Sequence, residues 1–228
     1  MRLEKYLVQC GLGSRREIKN FVISGKIKVN NEIILDEGKA IDEINDKITF
    51  NDKELEKKVL KYYILYKKAG YVTSASDDDN PVVNDLLPDW IDKKALFPVG
   101  RLDKDTEGLL LFTNDGELNY KMTHPEKKFS KKYYAKLRKE ISSKDILKIE
   151  EGIDIGSHKC LPSSIEIIDN TSVYITIFEG KYHQVKRMFK AVNNKVIYLK
   201  RVEFGNLSLS GMKLGDVKEI KREDILID

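Results

Sequence analysis

One short segment constrains the fold of this chain more than any other: an apolar run that directly follows a charged one. The apolar run is Leu109–Phe112, with a glycine before it and the turn residues Thr-Asn-Asp-Gly after it. A short, continuous apolar run between turn signals is typical of a buried β-strand. The charged residues 101–107 lead straight into that strand, so they cannot lie far from the core. Their carboxylates are candidates for a functional site: Asp103, Asp105 and Glu107.

The distribution of charge favours contact with a polyanion. The 228 residues include 41 Lys and Arg against 37 Asp and Glu, so the net charge is only +4. The basic residues are nevertheless concentrated: residues 1–30 hold seven, 121–140 hold eight and 181–201 hold seven, against two, two and no acidic residues. Segregated basic blocks in a nearly neutral chain indicate a surface for a polyanion. Solvated lysine-rich faces would give the same counts, so charge alone leaves both interpretations open.

Several functional classes are excluded by what the sequence lacks. Cys10 and Cys160 match no metal-binding or redox spacing, so reduced thiols in a cytoplasmic protein are expected. No segment is long and apolar enough to span a bilayer, and the charged N-terminus has no apolar signal core. The three histidines share no ligand spacing, so no metal site is expected, and neither a phosphate-binding glycine loop nor a nucleophile elbow is present. What remains is chemistry that a single carboxylate can perform.

The N-terminal residues predict two short helices. The first has apolar residues at helical spacing, namely Leu3, Tyr6, Leu7 and Cys10. A capping box of Ser14 and Glu17 starts the second helix, which ends at Ser24-Gly25.

A β-hairpin is expected next. Its first strand spans residues 27–29, its turn is 30–31, and its second strand presents Ile33 and Leu35. Residues 51–60 are rich in Lys and Glu and are expected to form a linker to a second domain.

Basic residues are left outside this small unit: Arg15, Arg16, Lys19, Lys26 and Lys28. A helix N-terminus presents free backbone N–H groups, which together with arginine side chains suit a phosphate. Ordinary surface arginines on a small scaffold explain the same pattern. Residues 1–48 resemble an S4 domain, a small RNA-binding module, through the segments 2–7, 11–17 and 24–31. The resemblance implies that this unit binds RNA.

Residues 127–138 form a basic segment with interleaved aromatic residues. On a strand, one face would carry Tyr133, Ala135 and Leu137, and the other Lys132, Tyr134 and Lys136. Basic residues with an exposed ring suit an RNA backbone and a stacked base. A half-buried strand whose tyrosines belong to the core is the alternative, and the pattern alone does not separate the two.

The last basic block predicts an amphipathic helix. Apolar residues recur at helical spacing from Val185 to Val192, while Lys186, Arg187 and Lys190 lie off that face. The segment from Glu179 to Gln184 forms the turn that precedes it.

Three of these segments resemble, in order, the motifs of one enzyme family. Gly100–Gly116, Lys131–Tyr133 and Glu179–Phe189 are similar to the motifs of the pseudouridine synthases of the RsuA and RluB type. The resemblance implies isomerisation of a uridine in RNA without cofactor or metal. It also implies an α+β fold, with a small S4 (α-L-like) domain and linker over residues 1–58. The catalytic domain, residues 59–228, would be built on a mixed, mainly antiparallel sheet with flanking helices.

The resemblance also implies roles for individual residues. Asp103 would be the catalytic aspartate, acting as nucleophile or as base, Tyr133 would stack on the target base, and Lys186 would pair with the aspartate. Chemistry on a base in structured RNA requires its extrusion from the stack, and Arg101 would fill the gap or hold a phosphate. The residues expected to contact RNA are Arg15, Arg16, Lys19, Lys26, Arg101, Lys131, Lys132, Gln184 and Arg187.

The expected substrate is small-subunit (16S) rRNA, free or in an assembly intermediate, modified by a cytoplasmic monomer. Residues 63–74 and the loop around Asn80-Pro81 resemble the family's small-subunit members. Residues 66–69 depart from the usual Asn-Lys-Pro and lose a proline-fixed turn. A large-subunit (23S) enzyme of the same family and a non-catalytic RNA-binding or ribosome-assembly protein remain the alternatives.

Overall fold

Two sheets, each with its own apolar core, divide the chain. The structure is a computed structural model that describes residues 1–57, 59–74, 76–93 and 96–227. The first core is formed by residues between Leu3 and Ile48. The second sheet begins at Tyr62. The predicted boundary between residues 58 and 59 falls between the two sheets, although residue 58 itself lies outside the described residues.

The N-terminal unit contains the two predicted helices. They are α1 (Leu3–Gln9) and α2 (Arg15–Ile23). The capping box is confirmed, because the Glu17 N–H donates to Ser14 Oγ at 3.3 Å and the Ser14 N–H donates to Glu17 Oε2 at 2.8 Å. The side chains of Ile18 and Val22 are fully buried against α1 and the sheet.

A four-stranded antiparallel sheet completes this unit, in the order β2-β1-β3-β4. Its strands are β1 (Ile27–Val29), β2 (Glu32–Ile33), β3 (Ile48–Phe50) and β4 (Lys53–Glu54). The linker prediction was wrong at its start, because β4 pairs with β3. Asn51 and Asp52 both have positive φ (48° and 65°), the geometry of a tight two-residue hairpin turn.

The predicted hairpin exists, but the side-chain alternation of its second strand is shifted by one residue. Lys28 pairs with Ile33, so Ile33 faces the same side as that lysine and is 57% exposed. Ile34, whose N–H donates to the carbonyl of Ile27, is buried instead, and Leu35 is exposed. The two-residue turn fixes this register, and a slip of one residue exchanges the two faces of a strand.

The second sheet has nine strands, seven of them in the order β13-β5-β7-β11-β8-β10-β9, with β6 beside β7 and β12 beside β11. The strands are β5 (Tyr62–Lys67), β6 (Phe97–Val99), β7 (Glu107–Thr113), β8 (Lys131–Leu137), β9 (Ser164–Asp169), β10 (Ser172–Ile177), β11 (Val196–Phe204), β12 (Leu207–Ser208) and β13 (Val217–Ile220). The helices are α3 (Gly116–Thr123), α4 (Ser143–Glu150) and α5 (Gln184–Ala191). Only β7 and β11 pair in parallel among the described strands, so the prediction of a mixed, mainly antiparallel sheet is confirmed.

Strand β7 lies inside this sheet, as the apolar run predicts. All four residues of Leu109–Phe112 are fully buried. Leu110 and Phe112 face the core beneath α5, whereas Leu109 and Leu111 face α3. Burial of each such side chain contributes about 1.5 to 3 kcal/mol, so the C-terminal end of the charged loop is firmly anchored.

Gly108 at the start of β7 allows β7 and β11 to approach. Its φ is +121°, and a Cβ atom there would lie 2.3 Å from the carbonyl oxygen of Arg201. Any side chain at this position would therefore separate the two parallel strands, and with them the loop that precedes β7.

One ion pair joins the N-terminal unit to the second domain. Lys5 Nζ donates to Glu117 Oε2 at 2.8 Å, and Lys121 lies 3.0 Å from the same carboxylate. The hydrogen bonds from Lys5 and Lys121 lower the pKa of Glu117 to about 2. All three side chains are at least 40% exposed, so the pair adds little free energy to domain contact. No helix in the described ranges is long and apolar enough to cross a membrane.

Candidate active site

The loop between β6 and β7 carries Asp103 and is held at its backbone. Thr73 Oγ1 donates to the carbonyl of Leu102 at 2.8 Å and accepts from its N–H at 3.1 Å. On the other side, the N–H of Thr106 donates to the carbonyl of Asp103 at 3.1 Å. The side chain of Asp103 is 27% exposed. The backbone of Asp103 is thus held in position, while its carboxylate remains accessible to a ligand.

Lys67, at the end of β5, supports this loop from inside the protein. Its side chain is fully buried, and its three ammonium N–H groups are shared among four backbone carbonyls within hydrogen-bond distance. The acceptors are those of Lys68 at 3.1 Å, Asp103 at 3.1 Å, Lys104 at 3.3 Å and Thr106 at 2.8 Å. Burial lowers the pKa of Lys67 to about 8, so the amine remains charged at neutral pH. Sequence reasoning missed this residue, whose only sign is a lysine ending an apolar strand.

The structure brings Lys186 and Asp103 together across 83 positions of sequence. Lys186 Nζ donates to Asp103 Oδ2 at 2.9 Å and to Asp105 Oδ1 at 2.5 Å. Burial acts to lower the pKa of Lys186, but the hydrogen bonds to Asp105 and Asp103 outweigh it and raise that pKa. For Asp105 burial acts to raise the pKa, and the hydrogen bond from Lys186 reverses this, so the pKa is lowered. Helix α5 presents Lys186 in this position because its opposite face is buried in the core.

His183 is a further residue of the site that sequence reasoning did not single out. It precedes α5 in a left-handed conformation, with φ at 50°, which is uncommon for a residue with a side chain. Its Nε2 lies 3.6 Å from Asp103 Oδ1, and its ring stacks on that of Tyr182 at 3.8 Å. The two oxygens of Asp103 therefore face different partners, Lys186 on one side and His183 on the other. Histidine spacing does not reveal this contact, because the two residues lie 80 positions apart in the sequence.

Tyr133 lies on the core face of β8, as the alternation predicts. It is only 8% exposed and belongs to the core cluster beneath α5. No hydrogen bond or ring contact joins Tyr133 to Asp103 or Lys186 within the described ranges. The ring of Tyr133 therefore packs in the core, and the residue pairs with Arg201 on β11.

The comparisons with known proteins agree with these motifs. The sequence model of RNA pseudouridylate synthase matches residues 61–191, and that of the S4 domain matches residues 1–48. The ribosomal large subunit pseudouridine synthase B of Bacillus subtilis (strain 168) is 36% identical, over 98% of this chain and 93% of its own. The ribosomal small subunit pseudouridine synthase A of Vibrio vulnificus (strain CMCP6) is 35% identical, over 99% and 98%. A crystal structure of a pseudouridylate synthase superposes with a TM-score of 0.71 at 30% identity, covering 98% of this chain and 97% of that one.

The chain belongs to the RNA pseudouridine synthase family. It is an isomerase with an S4 domain, which confirms the family resemblance of its three motifs and of its N-terminal residues.

The segment before α5 of this pseudouridine synthase is held by internal hydrogen bonds. Glu179 is buried and accepts from the N–H of Leu161 at 2.9 Å and from Gln184 Nε2 at 3.0 Å. Gln184 Oε1 in turn accepts from the N–H of Lys181 at 2.9 Å. Gln184 is only 4% exposed, so its side chain is directed into the protein rather than towards RNA.

Arg187 and Lys131 are also engaged within the synthase. Arg187 Nη2 donates to the carbonyl of Ile155 at 2.5 Å and to Ser157 Oγ at 2.8 Å. Lys131 Nζ donates to the carbonyl of Phe129 at 2.8 Å, and burial lowers the pKa of Lys131 to about 8. Arg187 thereby holds the backbone around residues 155–157, and Lys131 holds the backbone at Phe129.

The remaining candidates are exposed on the surface of the synthase, apart from Lys132, whose side chain is 21% exposed. Lys132 projects from the side of β8 opposite Tyr133 and pairs with Glu166 at 2.8 Å. Arg101 is exposed next to the loop that carries Asp103. The N-terminal candidates Arg15, Arg16, Lys19 and Lys26 are exposed on or just after α2. Arg15 and Lys19 contact Glu4 and Glu37 at 3.2 and 3.5 Å.

Proposed function

We propose that this pseudouridine synthase isomerises one uridine of small-subunit (16S) rRNA, with Asp103 as its catalytic carboxylate, as a cytoplasmic monomer. The observation that carries the proposal is the contact of Lys186 with Asp103, because it joins two separate motifs around one partly exposed carboxylate. Such an arrangement holds the carboxylate of Asp103 in one orientation while leaving its side chain 27% exposed.

The reaction exchanges one bond at the ribose for another. The bond from N1 of uracil to C1′ breaks, the bond from C5 to C1′ forms, C5 loses its proton and N1 gains one. Asp103 acts at the extruded nucleotide as nucleophile or base. Lys186 orients the carboxylate of Asp103, while Lys67 holds the backbone of Asp103 in place. Tyr133 would form the floor on which the uracil ring stacks, once RNA binding has opened access to it.

Side-chain exposure divides the proposed RNA contacts into two groups. Arg101 is exposed beside Asp103 and is free to occupy the space that an extruded base leaves in the RNA. Lys132 and the basic residues of the S4 domain are placed to contact the RNA backbone. Gln184, Arg187 and Lys131 act indirectly, since their hydrogen bonds hold the loops that frame the site.

The choice of 16S rRNA is supported by sequence likeness over residues 63–74 and around Asn80-Pro81. Overall identity does not separate the two ribosomal subunits, because relatives named for each are 36% and 35% identical. Large-subunit rRNA is therefore the second candidate.

Mapping pseudouridine in both rRNAs by carbodiimide modification distinguishes these candidates. The comparison uses cells that lack the protein, complemented with either the wild type or the Asp103→Asn variant. We expect one small-subunit site to disappear in the deletion strain and to return with the wild type alone. A missing site in the large subunit would move the assignment to 23S rRNA. Restoration by Asp103→Asn would refute the role of Asp103.

Deletion of residues 1–58 is expected to weaken RNA binding and to flatten its dependence on salt. The S4 domain carries exposed basic residues, and each phosphate contact adds to the slope of log K against log salt. Its core is separate from that of the catalytic domain, so the remainder should stay folded, which circular dichroism can check. The measurement is affinity for an rRNA fragment at several salt concentrations. Unchanged affinity and slope would contradict the proposed role of the S4 domain.

A further inference from the structure

Beside Asp103 the protein exposes an aromatic ring that no part of the proposed mechanism uses. Tyr182 is 75% exposed, although large aromatic side chains are usually buried. One face of its ring stacks on His183, with centroids 3.8 Å apart and planes inclined by only 18°. The other face is open.

The ring is held in place although it is exposed. His183, on which the ring stacks, itself contacts Asp103, with Nε2 at 3.6 Å from Oδ1. The backbone on either side of Tyr182 is also fixed: the N–H of Lys181 donates to Gln184 Oε1, and Arg187 Nη1 donates to the carbonyl of Tyr182 at 3.4 Å. A rigid exposed ring loses little conformational entropy when a ligand packs on it, which makes it an effective contact.

Position and charge determine what the open face can bind. Tyr182 stacks on His183, and His183 Nε2 lies 3.6 Å from Asp103 Oδ1, so a ligand on the open face of Tyr182 lies near Asp103. Two basic residues lie beside the ring: Lys181 precedes Tyr182 in the chain, and Arg187 Nη1 donates to the carbonyl of Tyr182 at 3.4 Å. A flat apolar ring among positive charges fits a nucleobase with its phosphate, whereas a carboxylate or an apolar peptide would satisfy only one of these features.

We propose that Tyr182 and His183 form a stacking shelf for the base that neighbours the target uridine in the RNA chain. Extrusion of the target leaves its neighbour without one stacking partner, and the open face of Tyr182 replaces that partner. The shelf thereby stabilises the extruded state and contributes to the choice of uridine, since purines stack more strongly than pyrimidines. The identity of the neighbour rests on the proposed function, whereas the stacking itself does not.

The test uses an RNA hairpin whose loop contains a uridine flanked by 2-aminopurine, a base whose fluorescence is quenched when it stacks. Three proteins are compared, and all of them carry Asp103→Asn so that turnover cannot alter the probe. One keeps Tyr182, and the other two carry Tyr182→Phe or Tyr182→Ala. We expect quenching with the wild-type ring and with Tyr182→Phe, but not with Tyr182→Ala. Affinity should fall about 10- to 100-fold for Tyr182→Ala, the range for loss of one base–aromatic stack.

A second hairpin, with an abasic nucleotide in place of the 2-aminopurine, completes the comparison. The protein that keeps Tyr182 should bind this RNA as weakly as the Tyr182→Ala protein does, because the RNA has no base to stack on the ring. Two results would overturn the proposed shelf. One is that the Tyr182→Ala protein quenches 2-aminopurine as much as the protein that keeps Tyr182. The other is that Tyr182→Ala lowers the affinity for the abasic RNA as much as it lowers the affinity for the 2-aminopurine RNA. Neither the quenching nor the affinity measurement requires turnover. If the chain failed to modify rRNA, the proposed function would be refuted, but these two measurements would still test the stacking on Tyr182.

Discussion

Asp103→Asn is expected to reduce the rate of pseudouridine formation by at least about 10⁴-fold, the scale seen when a catalytic group that acts directly on the substrate is removed. Asparagine preserves the shape and one oxygen but has neither the negative charge nor the basicity of the carboxylate. RNA affinity should change little, because the exposed basic residues that we propose to contact the RNA backbone are untouched. The measurement is single-turnover conversion of a uridine-containing rRNA fragment by purified protein.

Asp105→Asn provides the matched control. Both aspartates accept a hydrogen bond from Lys186, so either substitution removes one negative charge from the same lysine. The side chains differ in exposure, at 27% for Asp103 and 75% for Asp105. We expect Asp105→Asn to lower the rate by less than about tenfold, as for loss of a solvent-exposed partner. Equal losses for the two variants would mean that the charge around Lys186, and not one reacting carboxylate, sustains the reaction.

The regular elements near the site could be predicted because their patterns have a short period. Residues 109–112 form an uninterrupted apolar run, and β8 alternates with a period of two, so their burial follows from local sequence. The helix that presents Lys186 was predicted for the same reason. The contact between Lys186 and Asp103 was predicted on another ground, because no periodicity relates positions 83 apart. Only the likeness to a family with both motifs pointed to it.

The features that were missed have different physical causes. A lysine in a strand is expected to reach solvent, so the local sequence does not predict that the ammonium of Lys67 is surrounded by backbone carbonyls. His183 contacts Asp103 through a left-handed backbone that a helical pattern does not reveal. Ile33 and Leu35 were assigned to the wrong face because the geometry of a two-residue turn, not composition, determines which residues of the second strand face inward.

Lys67→Met is expected to lower the free energy of unfolding by about 3 to 5 kcal/mol, the usual cost of removing one member of a buried polar network. Methionine fills much of the space but donates no hydrogen bond, so the four carbonyls that accept from Lys67 lose that donor inside the protein. Two of these carbonyls belong to Asp103, the proposed catalytic residue, and to its neighbour Lys104. A displacement of that backbone by about 1 Å should reduce the rate by roughly 100-fold in the protein that remains folded.

Lys68→Met is the control, since it makes the same substitution one residue later on an exposed side chain. It should leave the unfolding free energy within about 0.5 kcal/mol of the wild type, as for most surface changes. Urea denaturation gives the stability, and single-turnover conversion at low urea and low temperature gives the rate. A Lys67→Met protein of normal stability would show that the carbonyls find other donors. Lost stability with a normal rate would show that β7 and helix α5 place Asp103 without help from the lysine, and that Lys67 serves the fold alone.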